Sequence, residues 1–398
     1  MHLGNHPKLT VMAIAVAASL LAEVRFGVVR VPVIIWEIAF GILIGPQVLA
    51  LATPGPSLEF LENSGLVALF FMAGMELDLE RVKGRPLSLA FRGWVLSLGL
   101  GLAAAGLLYW LTIIHAPILA ALVLSTTALG TFLPILRDAV RGDSSFAPLV
   151  VAAGVAGEFG PVIAVSLVLT PVYGVWQGAV LMFAFVAVSV AAAGIALGLR
   201  PPKVVKLLER SMHSSTQLPV CLSLLLMASF AALSLEFGFE AVLGGFAAGM
   251  VVGLASRGEQ GKPFRAKMDA ICFGFLVPFF FVVSGMSLDV KALVQSPKTM
   301  LLVPIFLILL LVVRGAPVFL YRKDLTRGEQ WPFVLYSATA LPLVVAITHI
   351  GVTTGRLRPE LAAAMVGTGL LSVLMFPTIA EALLPEDTRS AVALNSEG

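Results

Sequence analysis

Thirteen apolar runs, each bounded by Pro, Gly or charge, follow one another along the chain at approximately 9–26, 31–52, 61–75, 91–114, 118–136, 147–172, 175–199, 218–237, 238–254, 271–285, 300–321, 331–350 and 361–384. Most are long enough to cross a bilayer, where a segment must satisfy its own backbone hydrogen bonds and therefore folds as a helix. Composition agrees: 59% of the 398 residues are hydrophobic and 12% are charged, against about 25% charged in soluble domains. The chain reads as an all-α polytopic membrane protein. Its net charge of +3 is spread over short connections, which excludes a nucleic-acid-binding patch. Cys221 and Cys272 both lie in apolar runs and the His residues show no ligand spacing, so neither a disulfide framework nor a structural metal site is expected.

Basic residues fix the orientation. Counted on alternate sides of the runs, 20 Lys and Arg fall on one side and 5 on the other, and the positive-inside rule places the rich side in the cytoplasm. The N-terminus is then outside and the C-terminus inside. Run 9–26 has the look of a signal-peptide core, but Arg25 and Arg30 fit a cytoplasmic loop only if it stays as an outside-to-inside helix.

The two halves of the chain resemble each other. Phe70, Gly74, Met75, Leu77 and Asp78 recur 211 residues later as Phe281, Gly285, Met286, Leu288 and Asp289. Gly41 and Gly45 recur as Gly249 and Gly253 at an offset of 208, and STTAL at Ser125–Leu129 recurs as SATAL at Ser337–Leu341 at 212. Matched runs are seven apart, an odd displacement, so the copies lie inverted across the membrane, as in many secondary transporters. The organisation expected is a first repeat of six helices over 1–172, a linker helix and loop over 173–217, a second repeat over 218–385 and a short cytoplasmic tail over 386–398. Asp78 and Asp289 read as caps of repeated loop ends.

The STTALGTFLP and SATALPLVV segments carry Gly130 and Pro134 in one copy and Pro342 in the other. Both read as discontinuous helices, because proline removes a helical hydrogen bond and nearby hydroxyls satisfy freed backbone groups. Paired breaks at corresponding positions mark a transporter's binding site. Two ionisable residues lie at midplane depth. Glu158 is about 11 residues from its cytoplasmic end and Arg314 about 7, within one or two turns of the same depth. A carboxyl so placed costs about 2.5–3.5 kcal/mol; it is either a protonated Glu bonded between helices or, as favoured here, a titratable group on an ion path. Arg314 either pairs with it or offsets the negative ends of half-helices at the crossing. Glu37 reads as a snorkelling or packing residue, or as part of a cytoplasmic funnel.

These residues resemble the monovalent cation:proton antiporter 2 family of the sodium/proton exchanger superfamily over essentially the whole chain. VPVIIWEIAFGILIGP is similar to its first-helix signature, LVALFFMAGMELDL and PFFFVVSGMSLDV to its paired GMxLD ends, STTALGTFLPILRD to its broken fourth helix and LGGFAAGMVVG to its GAFxAG stretch. The resemblance implies a six-helix core carrying two crossed broken helices, a second domain that forms a homodimer, and elevator-like motion. It puts Glu158 in the place of the ion-binding aspartate, Arg314 in that of a basic residue, and Thr126, Thr127 and Thr339 along the crossover, with Glu158 and Thr127 holding the cation. The substrates implied are Na⁺ or K⁺ and H⁺, with no cofactor.

The chain departs from that family in two places. The family has Asp after Asp, Asn or Gln where this chain has Gly157 and Glu158, and an Arg that keeps its proton makes one-for-one electroneutral exchange the simpler expectation. The sequence also ends at Gly398, so no nucleotide-binding regulatory domain is expected. The expectation is an inner-membrane cation/proton antiporter. A sodium-coupled organic-anion symporter of the same architecture, or a passive cation channel, stands as the alternative, and no nucleophile or phosphate loop suggests an enzyme.

Overall fold

The structure is a computed structural model, and it describes residues 7–23, 32–76, 84–140, 144–169, ten positions between 180 and 194, 217–256, 261–288, 290–291 and 297–389. In chain order the helices are α1 (Pro7–Glu23), α2 (Val33–Ile44), α3 (Pro56–Glu76), α4 (Arg85–Trp110), α5 (Pro117–Leu124), α6 (Leu129–Ala139), α7 (Phe146–Leu169), α8 (Leu218–Glu236) and α9 (Ala241–Ala255). They continue with α10 (Lys262–Ile271), a π turn (Cys272–Leu276), α11 (Val277–Ser287), α12 (Pro297–Gly315) tightening to a 3-10 turn (Ala316–Tyr321), α13 (Gln330–Ser337), α14 (Pro342–Thr353) and α15 (Pro359–Leu383). The one β feature among the described residues is an isolated bridge between Val140 and Arg389.

Joining α10 with α11, α12 with its 3-10 end, and α13 with α14 gives eight segments long and apolar enough to span a membrane, beside four shorter apolar helices. Eight plus four account for twelve of the thirteen expected runs. The seventh run and the 173–217 linker fall almost wholly outside the described residues, as do Asp78 and Asp289. Large apolar side chains face outward, among them Leu20, Phe91 and Ile308, and Trp110 at the end of α4 is 78% exposed, as an interfacial aromatic is. The chain is an all-α, multi-pass membrane protein.

Two elements differ from the expected runs for local reasons. Run 31–52 is helical only to Ile44: Gly45 is extended (φ −63°, ψ 169°), because a residue before proline is pushed out of the helical region. Run 271–285 begins nine residues early, at Lys262, since Lys262, Arg265, Lys267 and Asp269 depress the hydropathy of a segment that is helical all the same.

Cα packing divides the chain into two compact units, each drawing on both sequence repeats. The first comprises Met1–Ala15, Pro54–Leu77 and Val162–Val283. Its centre is the contact between α3 and α9, made by glycines that let the two backbones touch: a Cβ at Gly74 would fall on the carbonyl oxygen of Phe246, and one at Gly249 on that of Phe71. Helices in lipid associate by this kind of close packing, because burial of apolar surface gives little gain there. Phe185 closes the unit edge-on against Phe230, Phe237 and Phe239, at centroid distances of 6.3, 6.1 and 6.3 Å.

The second unit comprises Val16–Thr53, Asp78–Pro161 and Ser284–Gly398. It contains α4, α5, α6 and α7 to Pro161, with their repeat counterparts α12, α13, α14 and α15. Both middle segments are broken, α5 from α6 at Ser125–Ala128 and α13 from α14 at Ala338–Leu341. Gly130 and Pro134 lie inside α6, beyond the break; the break is made by hydroxyls instead. Ser125 Oγ donates to Leu122 O (2.8 Å), Thr126 Oγ1 to Val123 O (2.7 Å) and Thr339 Oγ1 to Leu335 O (3.0 Å), so each half-helix ends on its own side chains. In the second copy Pro342 opens α14 at a first-turn position, where its missing N–H costs no helical bond, and Leu341 before it (φ −143°, ψ −57°) lies outside the helix.

Candidate functional site

The two breaks meet. Ala128 N–H donates to Thr339 O at 2.7 Å, and Thr127 Oγ1 donates to Ser337 O at 2.6 Å. Ser372 on α15 serves the Ala340 backbone, accepting its N–H at 3.1 Å with Oγ also 2.9 Å from its carbonyl oxygen. Unwound backbone in the interior of a membrane protein persists only where such partners replace the helical ones.

α7 is fastened to this crossing by its own irregularity. Pro161 sits inside the helix and has no N–H, so Gly157 O, four residues earlier, lacks its helical donor. Thr127 N–H supplies one at 2.9 Å. Gly157 is thus bonded to the break, and Glu158, half-buried, is the next residue along α7.

Arg314, near the end of α12, reaches the same place and is 3% exposed. Its Nε donates to Thr127 Oγ1 (2.9 Å) and Ser337 O (3.2 Å), Nη1 to Ser97 Oγ (3.2 Å) and Nη2 to Ala153 O (3.3 Å). Ser97 in turn donates to Val313 O at 2.9 Å. All four acceptors of the guanidinium are neutral, and one is the last carbonyl of α13, the negative end of a half-helix. The guanidinium thus lies against the end of a half-helix. A cavity of about 10 Å³, room for one water, lies among Arg314, Ser337, Trp94 and Tyr321. The Ser337 hydroxyl and the Trp94 indole N–H are buried with no partner among the described residues.

Gly157 is close to both side chains. A Cβ there would be 2.5 Å from Arg314 Nη2 and 2.5 Å from Thr127 Oγ1. At the 212-residue offset of the STTAL/SATAL match it corresponds to Gly369 (369 − 157 = 212), whose Cβ would lie 2.9 Å from Ala340 O. Each repeat therefore packs a glycine against a broken segment.

The expected site residues divide accordingly. Thr127, Thr339 and Arg314 are joined by direct bonds or through Ser337 and Ala128, while Thr126 caps the end of α5 and Pro342 opens α14. Glu37, on α2, is 2% exposed, so it packs inside the chain rather than snorkelling outward. Ser97, Gly157, Pro161 and Ser372 take part as well; the i, i+4 spacing of Gly157 and Pro161 signals a freed carbonyl, whereas nothing in the sequence singles out Ser97 or Ser372.

The description of the matching family model is sodium/hydrogen exchanger, transmembrane, and it covers residues 12–385. The chain is 27% identical over 372 residues to the putative Na(+)/H(+) antiporter YjbQ of Bacillus subtilis (strain 168), covering 87% of this chain and 58% of that protein. It is 27% identical over 261 residues to the Na(+)/H(+)-K(+) antiporter GerN of Bacillus cereus, covering 65% of each. The chain thus spans less than two thirds of either relative. The structure of the sodium proton antiporter MjNhaP1 from Methanocaldococcus jannaschii at pH 8 matches with a TM-score of 0.62 at 16% identity, covering 96% of this chain and 98% of that one, a likeness of fold. These relatives are named as transporters, not enzymes. With a match that runs from residue 12 to 385, through both broken helices and α7, the chain belongs to the sodium/hydrogen exchanger family.

Proposed function

We propose that the protein is a secondary active transporter that exchanges a monovalent cation, Na⁺ or K⁺, for H⁺ by alternating access, with Glu158 binding the proton and the cation in turn. The observation that carries this reading is the bond from Thr127 N–H to Gly157 O, 2.9 Å long, which fastens α7 to the crossing one residue before its carboxyl. A carboxyl holds a proton or a cation but not both, and that exclusion couples the two fluxes. Unwound carbonyls at the breaks and the Thr127 hydroxyl supply neutral oxygens of the kind monovalent cations take. Arg314 holds the crossing together and keeps its charge through the cycle, so one carboxyl exchanges one cation for one proton.

A unit that contains the whole crossing moves as an elevator, and the protein works as a homodimer in the cell membrane with its N-terminus outside and its C-terminus in the cytoplasm. Reconstituted in proteoliposomes with a pH-sensitive dye, the wild type dequenches the dye on addition of Na⁺ or K⁺, and Glu158→Gln does not. Full exchange by Glu158→Gln sinks the reading, dependence on an added organic anion favours the symporter, and current without coupled proton movement favours the channel.

A further inference from the structure

At Gly157 the space that a side chain would fill is already taken. A Cβ at 157 would lie 2.5 Å from Arg314 Nη2, 2.5 Å from Thr127 Oγ1 and 2.8 Å from Thr127 Cβ, well inside the roughly 3.5–4.0 Å at which non-bonded atoms rest. Neither neighbour is loosely held. The Thr127 hydroxyl is fixed between Ser337 O at 2.6 Å and Arg314 Nε at 2.9 Å, and Nη2 is drawn to Ala153 O at 3.3 Å, one turn before Gly157 on the same helix.

We propose that Gly157 is a positioning residue that sets the cation dependence of exchange, because its missing side chain is the seat of the Arg314 guanidinium, and the seated guanidinium holds the Thr127 hydroxyl and the end of α13 beside the residue that binds the ion. This rests on the reading of Glu158 as that residue. Any side chain at 157 competes with the guanidinium for one volume. The far end of Arg314 is the group able to yield, into the cavity shared with Ser337, Trp94 and Tyr321. Thr127, on unwound backbone, then loses its Arg314 donor and is pushed from the other side. The perturbation is thus delivered to the oxygens of the crossing while Glu158 is chemically intact. Gly369, the repeat counterpart, meets backbone and Leu341 rather than a charged group, so the two glycines are alike in packing and different in consequence.

The test is a cycle of four proteins: wild type, Gly157→Ala, Arg314→Lys, and the double variant, each reconstituted for cation-driven dequenching and each melted in detergent. Lysine keeps the charge and has no Nη2. Gly157→Ala is expected to raise the apparent cation KM about tenfold, the size of an ordinary coupling between side chains in contact, with a smaller effect on the maximal rate. In the Arg314→Lys background the same substitution is expected to add less, only the part that comes from its contact with Thr127. An unchanged KM in Gly157→Ala, or effects that multiply independently in the double variant, overturns the proposal. A parallel Glu158→Gln arm separates the two levels: if it retains exchange, the role assigned to the carboxyl fails. The seat itself is then judged from the melting temperatures, where independence of positions 157 and 314 refutes it.

Discussion

Thr127→Val removes one oxygen from the crossing and almost nothing else. Valine keeps the shape of threonine, so the change isolates two hydrogen bonds, the one received from Arg314 Nε at 2.9 Å and the one given to Ser337 O at 2.6 Å. The first is charge-assisted, worth about 1.5–3 kcal/mol, and the second is neutral, worth about 0.5–1.5 kcal/mol. Arg314 Nε keeps Ser337 O at 3.2 Å, which offsets part of the loss, so a destabilisation of about 2–3 kcal/mol is expected. Against a folding free energy of about 5–15 kcal/mol that is a large fraction. Thr127→Ser keeps the hydroxyl and loses one methyl, about 1 kcal/mol. Thermal unfolding in detergent, followed by exchange in proteoliposomes at a temperature where all three proteins are folded, should order them wild type, Ser, Val in both measurements. If the Val variant melts with the wild type, or above the Ser variant, the hydroxyl does not join Arg314 to the crossing.

Ser372→Ala leaves the Ala340 N–H without its acceptor, at about 1–3 kcal/mol for a buried group left unmade, and removes the one hydroxyl hydrogen shared between Ala340 O and Gly369 O; a lowered melting temperature measures it. Gly249→Ala drives a methyl into the Phe71 carbonyl, whereas Gly99→Ala meets nothing within 4 Å; the first should cost about 1–3 kcal/mol or more and the second should be neutral or stabilising in the same melt. Asp324 is held below its ordinary pKa by its hydrogen bonds to Arg85, 2.7 and 2.9 Å long, and by the charge of Arg85. A depressed carboxyl stabilises above its unfolded pKa of about 3.9 and loses that contribution as pH falls through the folded value. Arg85 is 61% exposed and Asp324 20%, so Asp324→Asn should lower the melting temperature slightly at pH 7 in low salt, with the difference closing below about pH 4 and in 1 M salt.

The architecture was legible because hydropathy and the inverted repeat depend on features that survive projection onto one dimension. Length and charge marked twelve spans that the structure displays, and the STTAL/SATAL match found the two broken segments. The position of the first break was harder. Pro134 and Gly130 drew attention to α6, but the helix stops earlier, where Ser125 and Thr126 turn back on the carbonyls of Leu122 and Val123. Depth along a helix could be counted for Arg314, yet the direction of its side chain around the helix could not, and the guanidinium turns to Thr127, Ser337, Ser97 and Ala153. Ser97 and Ser372 are ordinary small residues on apolar helices; only the approach of distant chain gives them partners.

The bonds across the breaks also impose a schedule on synthesis. Thr127 donates to an acceptor 210 residues further along the chain, and at about 5–20 residues per second the ribosome reaches it about 10–40 s later. For that interval the unwound segment between α5 and α6 has open amide and hydroxyl groups that hydrocarbon does not satisfy. The fifth span therefore gains these partners only when the twelfth arrives, a handover set by the order of synthesis. A chain truncated before Ser337 never completes that handover, and quality-control proteases should recognise its fifth span first.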